Sequence, residues 1–167
     1  YRAQVDSLLA KLARGEALLE SDYLPTRFKL DGDINQDDWP NFQLDGYGAW
    51  LWGLVQFVQA HDDQALWVET RPAVRLTVEY LGALWQSPNY DSWEEHRDHI
   101  HPSTLAALYG GFRAVEAQEA GIVPAGLADR IRDFVLTRAL APAGHVMKYL
   151  GNDAVDANLL WLAVPYR

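Results

Sequence analysis

Apolar residues along this chain fall into two kinds of helical pattern that take turns. Val5, Leu8, Leu9 and Leu12 are spaced i, i+3, i+4 and i+7, which predicts a one-faced helix over about Arg2 to Arg14, stopped at Gly15. Over about Gln43 to Ala60 the pattern differs: Trp50, Leu51, Trp52, Leu54, Val55, Phe57 and Val58 leave hardly any polar face, so this helix is expected to be buried all round. After His61-Asp62-Asp63 a second one-faced helix runs to about Gln86, with Val74, Val78, Leu81 and Trp85 on its stripe. Pro72 is expected in the first turn of that helix or at a break before it, because an interior proline removes a backbone hydrogen bond. About Pro102 to Ala120 is again apolar nearly all round. About Pro124 to Leu140 is one-faced through Leu127, Ile131, Phe134 and Val135, with Pro124 near its start. Gly144 to Asn152 reads as a loop, and Asp153 as the N-cap of a last apolar helix through Leu159-Leu160-Trp161-Leu162.

The segment Glu16 to Phe42 has no sustained period and carries Pro25, Asp31-Gly32-Asp33 and Pro40, so it is expected to be a long connection with turns and short strands. Structureless connections of this length are often functional. One-faced helices suit an outer layer and wholly apolar ones an inner layer. The starts of the apolar helices, near Asp45, His101 and Asp156, recur at roughly 55 residues, a spacing that marks repeated units. The expected fold class is therefore all-α. Three outer–inner pairs make half of a double-ringed helical barrel, although a plain helical-repeat scaffold fits the same period.

Composition narrows the function. The chain has 167 residues and a formal charge of -9, which argues against nucleic acid and against an anionic membrane surface as partners. No apolar run approaches membrane-spanning length. Cysteine is absent, so a disulfide framework and a thiolate metal site are excluded. With no signal-peptide pattern visible, the composition leans to a cytoplasmic protein. Seven tryptophans and eight tyrosines suit sugar binding, since a pyranose stacks its C–H face on a ring, and they suit ordinary cores equally well.

The most distinctive polar stretch is Asn89-Tyr90-Asp91-Ser92-Trp93-Glu94-Glu95, between the Ser87-Pro88 stop and the next start at His101-Pro102. Two adjacent carboxyls beside an indole can be driven apart in acidity by desolvation and by their mutual repulsion. Glycoside hydrolysis requires such a division between a protonated acid and an ionised partner. Adjacent glutamates in a loop are more often simply solvated. His96, His99 and His101 follow, but their spacing is not that of a zinc helix, and no metal or cofactor is implied. Asp31-Gly32-Asp33-Ile34-Asn35 only faintly suggests a calcium loop and lacks the terminal Glu. Gly110-Gly111 inside a helical run points to close helix packing.

Tyr90-Asp91-Ser92-Trp93-Glu94-Glu95 followed by His101-Pro102-Ser103-Thr104-Leu105 resembles the acid-bearing segment of the glucoamylase-type glycoside hydrolases of family 15. Trp39-Pro40-Asn41-Phe42-Gln43-Leu44-Asp45-Gly46 is similar to that family's tryptophan loop and Gln-x-Asp-Gly helix opening, and Asp156-Ala157-Asn158-Leu159-Leu160 to its Asp-Ala-x-Leu-Leu helix start. The resemblance implies an (α/α)6 toroid of six hairpins, with residues 1–167 forming part of one catalytic domain and further hairpins on both sides. It implies an inverting hydrolase that releases glucose from non-reducing ends of α-glucosides such as malto- or isomalto-oligosaccharides, dextran or trehalose derivatives. Glu94 matches the general acid, Glu95 the adjacent carboxylate that binds substrate, and Trp39 the tryptophan that packs near the acid and holds the sugars; Trp93, next to both glutamates, is expected to bind substrate with them. The family's general base lies beyond its Asp-Ala-x-Leu-Leu helix, and its Tyr-x-Trp-x-Arg-Asp segment has no match here, so these 167 residues alone are expected to be inactive. Asp45, Asp153 and Asp156 are read as helix caps and hydrogen-bonding groups rather than as substitute bases. Other functions that fit the resemblance are a non-catalytic glycan-binding or regulatory module and a phosphorylase.

Overall fold

In a computed structural model, residues 1–34 and 42–166 are described; Trp39 and the rest of 35–41 lie outside them. The described residues form five α-helices: α1 (Arg2–Ala13), α2 (Asp45–His61), α3 (Gln64–Leu84), α4 (Pro102–Gln118) and α5 (Leu127–Arg138). Two short 3-10 segments, Glu20–Asp22 and Ala157–Leu162, complete the regular structure, and the described residues contain isolated β-bridges but no strand. The all-α expectation holds.

The helices form two layers. In the inner layer α2 packs along α4, and α4 along the 157–162 segment. In the outer layer α1 meets α3, and α3 meets α5 where Trp85 stands edge-on to Phe134 with ring centroids 5.4 Å apart. Of the stripes expected of the outer helices, Val5, Leu8, Val74, Val78, Leu81, Leu127, Ile131 and Val135 are buried, Leu9, Trp85 and Phe134 are half-buried, and Leu12, near the end of α1, is exposed. The α2–α4 approach is set by glycine. A Cβ on Gly48 would stand 2.6 Å from the backbone carbon of Ala107, and one on Gly111 would stand 2.6 Å from the Gly48 oxygen. Neither would fit without moving a backbone, which explains the glycine pair in the α4 sequence. Gly110 in turn admits the Tyr166 ring.

Five expectations are corrected. Pro72 lies within α3, not at its start. The carbonyl it leaves without a donor is four residues back at Val68, and both residues are exposed, which puts the missing bond on the solvent side of the helix rather than in the core. Helix α2 is not buried all round: Trp50 and Phe57 are 37% and 48% exposed. Asp153 caps nothing; Asp156 is the N-cap, its carboxylate accepting from Asn158 N–H at 3.0 Å. The element it starts is a 3-10 segment rather than an α-helix, with Leu160 well exposed. In the connection after α1, the described residues hold a bridge of Phe28 with Ile34 around the turn at Gly32 in place of the expected short strands.

Candidate active site

The three inner elements begin at Asp45, Pro102 and Ala157, and the loops leading into them meet. Gln43 bridges Tyr90 in parallel, and its side-chain amide donates to the Asp91 carbonyl at 3.0 Å. Asn89, almost fully buried, accepts from Leu44 N–H and donates to the Ser87 carbonyl. The segments that open α2 and α4 are thus stitched together by polar groups that have no solvent to turn to.

Asp91 organises the loop between them. It is fully buried, and one carboxylate oxygen accepts from both Trp93 N–H and Glu95 N–H at 3.0 Å. Its backbone carbonyl accepts from Glu94 N–H at 2.8 Å, and its own N–H donates to the Glu95 carbonyl at 3.3 Å. This wraps residues 91–95 into a closed turn in which Glu94 takes a left-handed backbone, φ +62°. A non-glycine residue there costs about 1–3 kcal/mol and persists only where surrounding bonds over-determine it, as they do here. The other Asp91 oxygen faces Asn158 Nδ2 at 3.5 Å and His101 Nδ1 at 3.9 Å. His101 Nε2 lies 3.1 Å from the His96 carbonyl and so carries the proton, leaving Nδ1 bare. Burial pushes the His101 imidazole below its ordinary value, consistent with that neutral tautomer.

The two glutamates point to different cations. Glu94 Oε1 is 3.8 Å from Arg27 Nη2, with about a third of each side chain exposed. Glu95 Oε2 is 3.1 Å from Lys148 Nζ, which reaches Asp156 Oδ2 at the same distance. Asp156 Oδ1 also accepts from the Trp93 indole N–H at 2.8 Å. Partial burial works against the Asp156 charge, yet the Asn158 N–H, the indole N–H and Lys148 hold it below the usual carboxylate range. Lys148 is raised, chiefly by its bond to Asp156, against some desolvation, and further by Glu95. The Trp93 indole is 55% exposed despite its anchored N–H. An exposed ring fixed at one edge is a stacking surface rather than a core residue.

The structure brings Trp93, Glu94, Glu95 and Asp156 together, while Trp39 lies outside the described residues. Arg27 and Lys148 belong to no motif in the sequence, and Asp91 and Asn158 lie within two of the motifs without a role of their own being legible there. For Asp91 a local signal existed, since an aspartate two residues before an unsatisfied N–H commonly closes such a turn. The three histidines gather around the Tyr149 ring, at centroid distances of 4.9 Å for His96, 4.1 Å for His99 and 5.9 Å for His101, while His101 also faces Asp91 and His96 lies beside Glu95. An apolar cavity of about 500 Å³ between α2, α3 and the Leu24–Thr26 stretch is lined by Tyr47 and Trp50 and does not extend to Glu94.

Asp45 departs from the capping role. It is the first residue of α2, with Leu44 in the cap position, and one of its oxygens is buried without a partner. Desolvation raises its pKa from 3.8 to about 6, against hydrogen bonds from Gln43 and Gly46 and with a further push from Asp91. A carboxyl raised on folding costs stability as pH climbs past its unfolded value and costs most above its folded one. Between pH 4.5 and 7.5 this group is expected to withdraw about 2 kcal/mol. Thermal unfolding of the wild type and Asp45→Asn at both pH values checks this: the variant should gain on the wild type at the higher pH.

This arrangement, a braced pair of carboxyls at the shared rim of inner helices, is that of a glucoamylase-type fold, and the chain belongs to glycosyl hydrolase family 15, whose model matches residues 11–166. It is 42% identical over 172 residues to the isomaltose glucohydrolase of Kribbella flavida, covering 99% of this chain and 44% of that protein. Among solved structures it is similar to a wild-type glycosidase (TM-score 0.86, 41% identity) and to a glycosidase variant in complex with glucose (TM-score 0.87, 42% identity). Each comparison covers 99% of this chain and 45% of the other, so the chain spans less than half the length of these relatives.

Proposed function

We propose that this chain carries the general-acid half of an inverting glycoside hydrolase that releases glucose from the non-reducing end of α-glucosides, with isomaltose as the first substrate to test. The observation that carries the reading is Glu94 itself, held in a left-handed backbone by four Asp91 contacts beside an exposed indole. Strain maintained by a dedicated buried brace is characteristic of a working group rather than a solvated one.

In the step this assigns, the Glu94 carboxyl gives its proton to the glycosidic oxygen as the bond to the anomeric carbon breaks. Water adds to that carbon from the opposite face, and a second carboxylate accepts the water's proton. For inversion that carboxylate stands roughly 6.5–9.5 Å from Glu94, leaving room for the water. The remaining part of the domain, a length comparable with what the relatives have beyond this chain, would supply it. Glu95, Trp93 and Trp39 hold the sugars. The charge of -9 suits such a neutral substrate.

The test is glucose release from isomaltose by the full-length protein, with the first-formed anomer followed by NMR. β-Glucose is expected, and the 167 residues alone should release none. Retention of the α-configuration would remove the inverting mechanism, and no release from any α-glucoside would remove the hydrolase reading.

A further inference from the structure

The geometry points to Lys148 as a positioning residue that sets affinity for the leaving sugar, by clamping Glu95 to the Asp156–Trp93 pair beside Glu94. This rests on the hydrolase reading above. The general acid protonates an oxygen that departs with the leaving sugar, so that sugar must lie against Glu94 and the groups flanking it. Trp93 and Glu95 are those neighbours, and both are about half exposed. An exposed glutamate would ordinarily sample several rotamers, and ordering it on binding would cost entropy.

Lys148 removes that freedom. Its ammonium makes 3.1 Å contacts to Glu95 and to Asp156, which come from two different inner-element starts. Its stem is well covered, with 16% of the side chain exposed. Its backbone is fixed as well, because Lys148 N–H donates to the Ala154 carbonyl at 2.8 Å. The neighbouring turn is tied to the start of α4, where Leu150 N–H donates to the Ile100 carbonyl at 3.1 Å. The cation therefore approaches from a mounted loop rather than from a mobile surface. Asp156 anchors the Trp93 indole with its other oxygen, so one ammonium connects the stacking ring and the hydrogen-bonding carboxylate into a single surface. His96 also lies near Glu95, at 3.6 Å, and Arg27 is on the Glu94 side. An ammonium has three N–H groups, and the two carboxylates occupy two of them.

The experiment uses the full-length protein, Lys148→Met and Lys148→Arg, each assayed on isomaltose and on α-glucosyl fluoride, which has no leaving sugar. For Lys148→Met, KM for isomaltose should rise about 10- to 100-fold, the range for losing a hydrogen bond to a charged group, with kcat changed less than about threefold. Its kcat/KM on the fluoride should stay within about threefold of the wild type, and Lys148→Arg should recover part of the isomaltose KM. An unchanged isomaltose KM, or equal losses on both substrates, would overturn the assignment of Lys148. A wild type inactive on both substrates would instead overturn the hydrolase reading.

Discussion

Replacing Glu94 with Gln in the full-length protein is expected to lower kcat on isomaltose by about 10²- to 10⁴-fold, the usual contribution of a positioned general acid. The amide keeps the shape and the left-handed backbone, since the Asp91 bonds to the loop go through main-chain N–H groups. What it cannot do is surrender a proton to an alkoxide. The loss should shrink markedly on α-glucosyl fluoride, because fluoride departs with little need of protonation. Calorimetry should find sugar binding close to that of the wild type. The contrast with Lys148→Met is sharp: one substitution acts through kcat and the other through KM. A Glu94→Gln enzyme that turned over isomaltose normally would leave the carboxylate without a chemical role.

The second large effect belongs to Asp91. Truncation to Ala strands the Trp93 and Glu95 N–H groups in a buried site, removes the neighbour of Asn158 and leaves Glu94 in an unsupported backbone conformation. A loss of about 3–5 kcal/mol in unfolding free energy is expected, from two buried charge-assisted bonds and the void left behind. Asp91→Asn should cost far less. Its amide oxygen can still accept from both N–H groups, and its NH₂ can donate to the bare His101 Nδ1, now 3.9 Å away, or to the unpartnered Asn158 Oδ1 once that amide turns over to avoid two facing NH₂ groups. Thermal or denaturant unfolding of the two variants measures the difference directly. Similar losses for both would mean that the carboxylate charge, rather than its hydrogen-bond geometry, holds the loop.

How much of this was legible beforehand depends on whether a feature is local. Helix positions were readable because burial on one stripe imposes a period, and α1, α3 and α5 follow their stripes. The inner starts were readable from polar residues just before apolar runs, as at Asp156. The place of Pro72 inside α3 is not legible from propensity, which assigns an interior proline a fixed cost, whereas the actual cost depends on whether the orphaned carbonyl faces solvent or core. The exposed flank of α2 is not legible either, because composition records what a helix can cover, not what stands next to it. At the site, Trp93 to Glu95 carried a contiguous pattern. Lys148 did not: it sits in an aperiodic loop, and its relation to Glu95 exists only once α5 and the following loop have folded back. Asp45 was readable as a helix start but not as a desolvated acid, since its burial is set by the folded packing, and the Asp91 charge that adds to the rise is distant in sequence.

The contact between Gly48 and the Ala107–Gly111 backbone has a bearing on how such a catalyst can change over time. Two main chains in direct apposition act as a hard stop, so the gap between the loops at their ends cannot be tuned by enlarging or trimming core side chains. Preference for one linkage over another must then be adjusted by altering the loops themselves, residue by residue, while the spacing of the wall behind them stays constant.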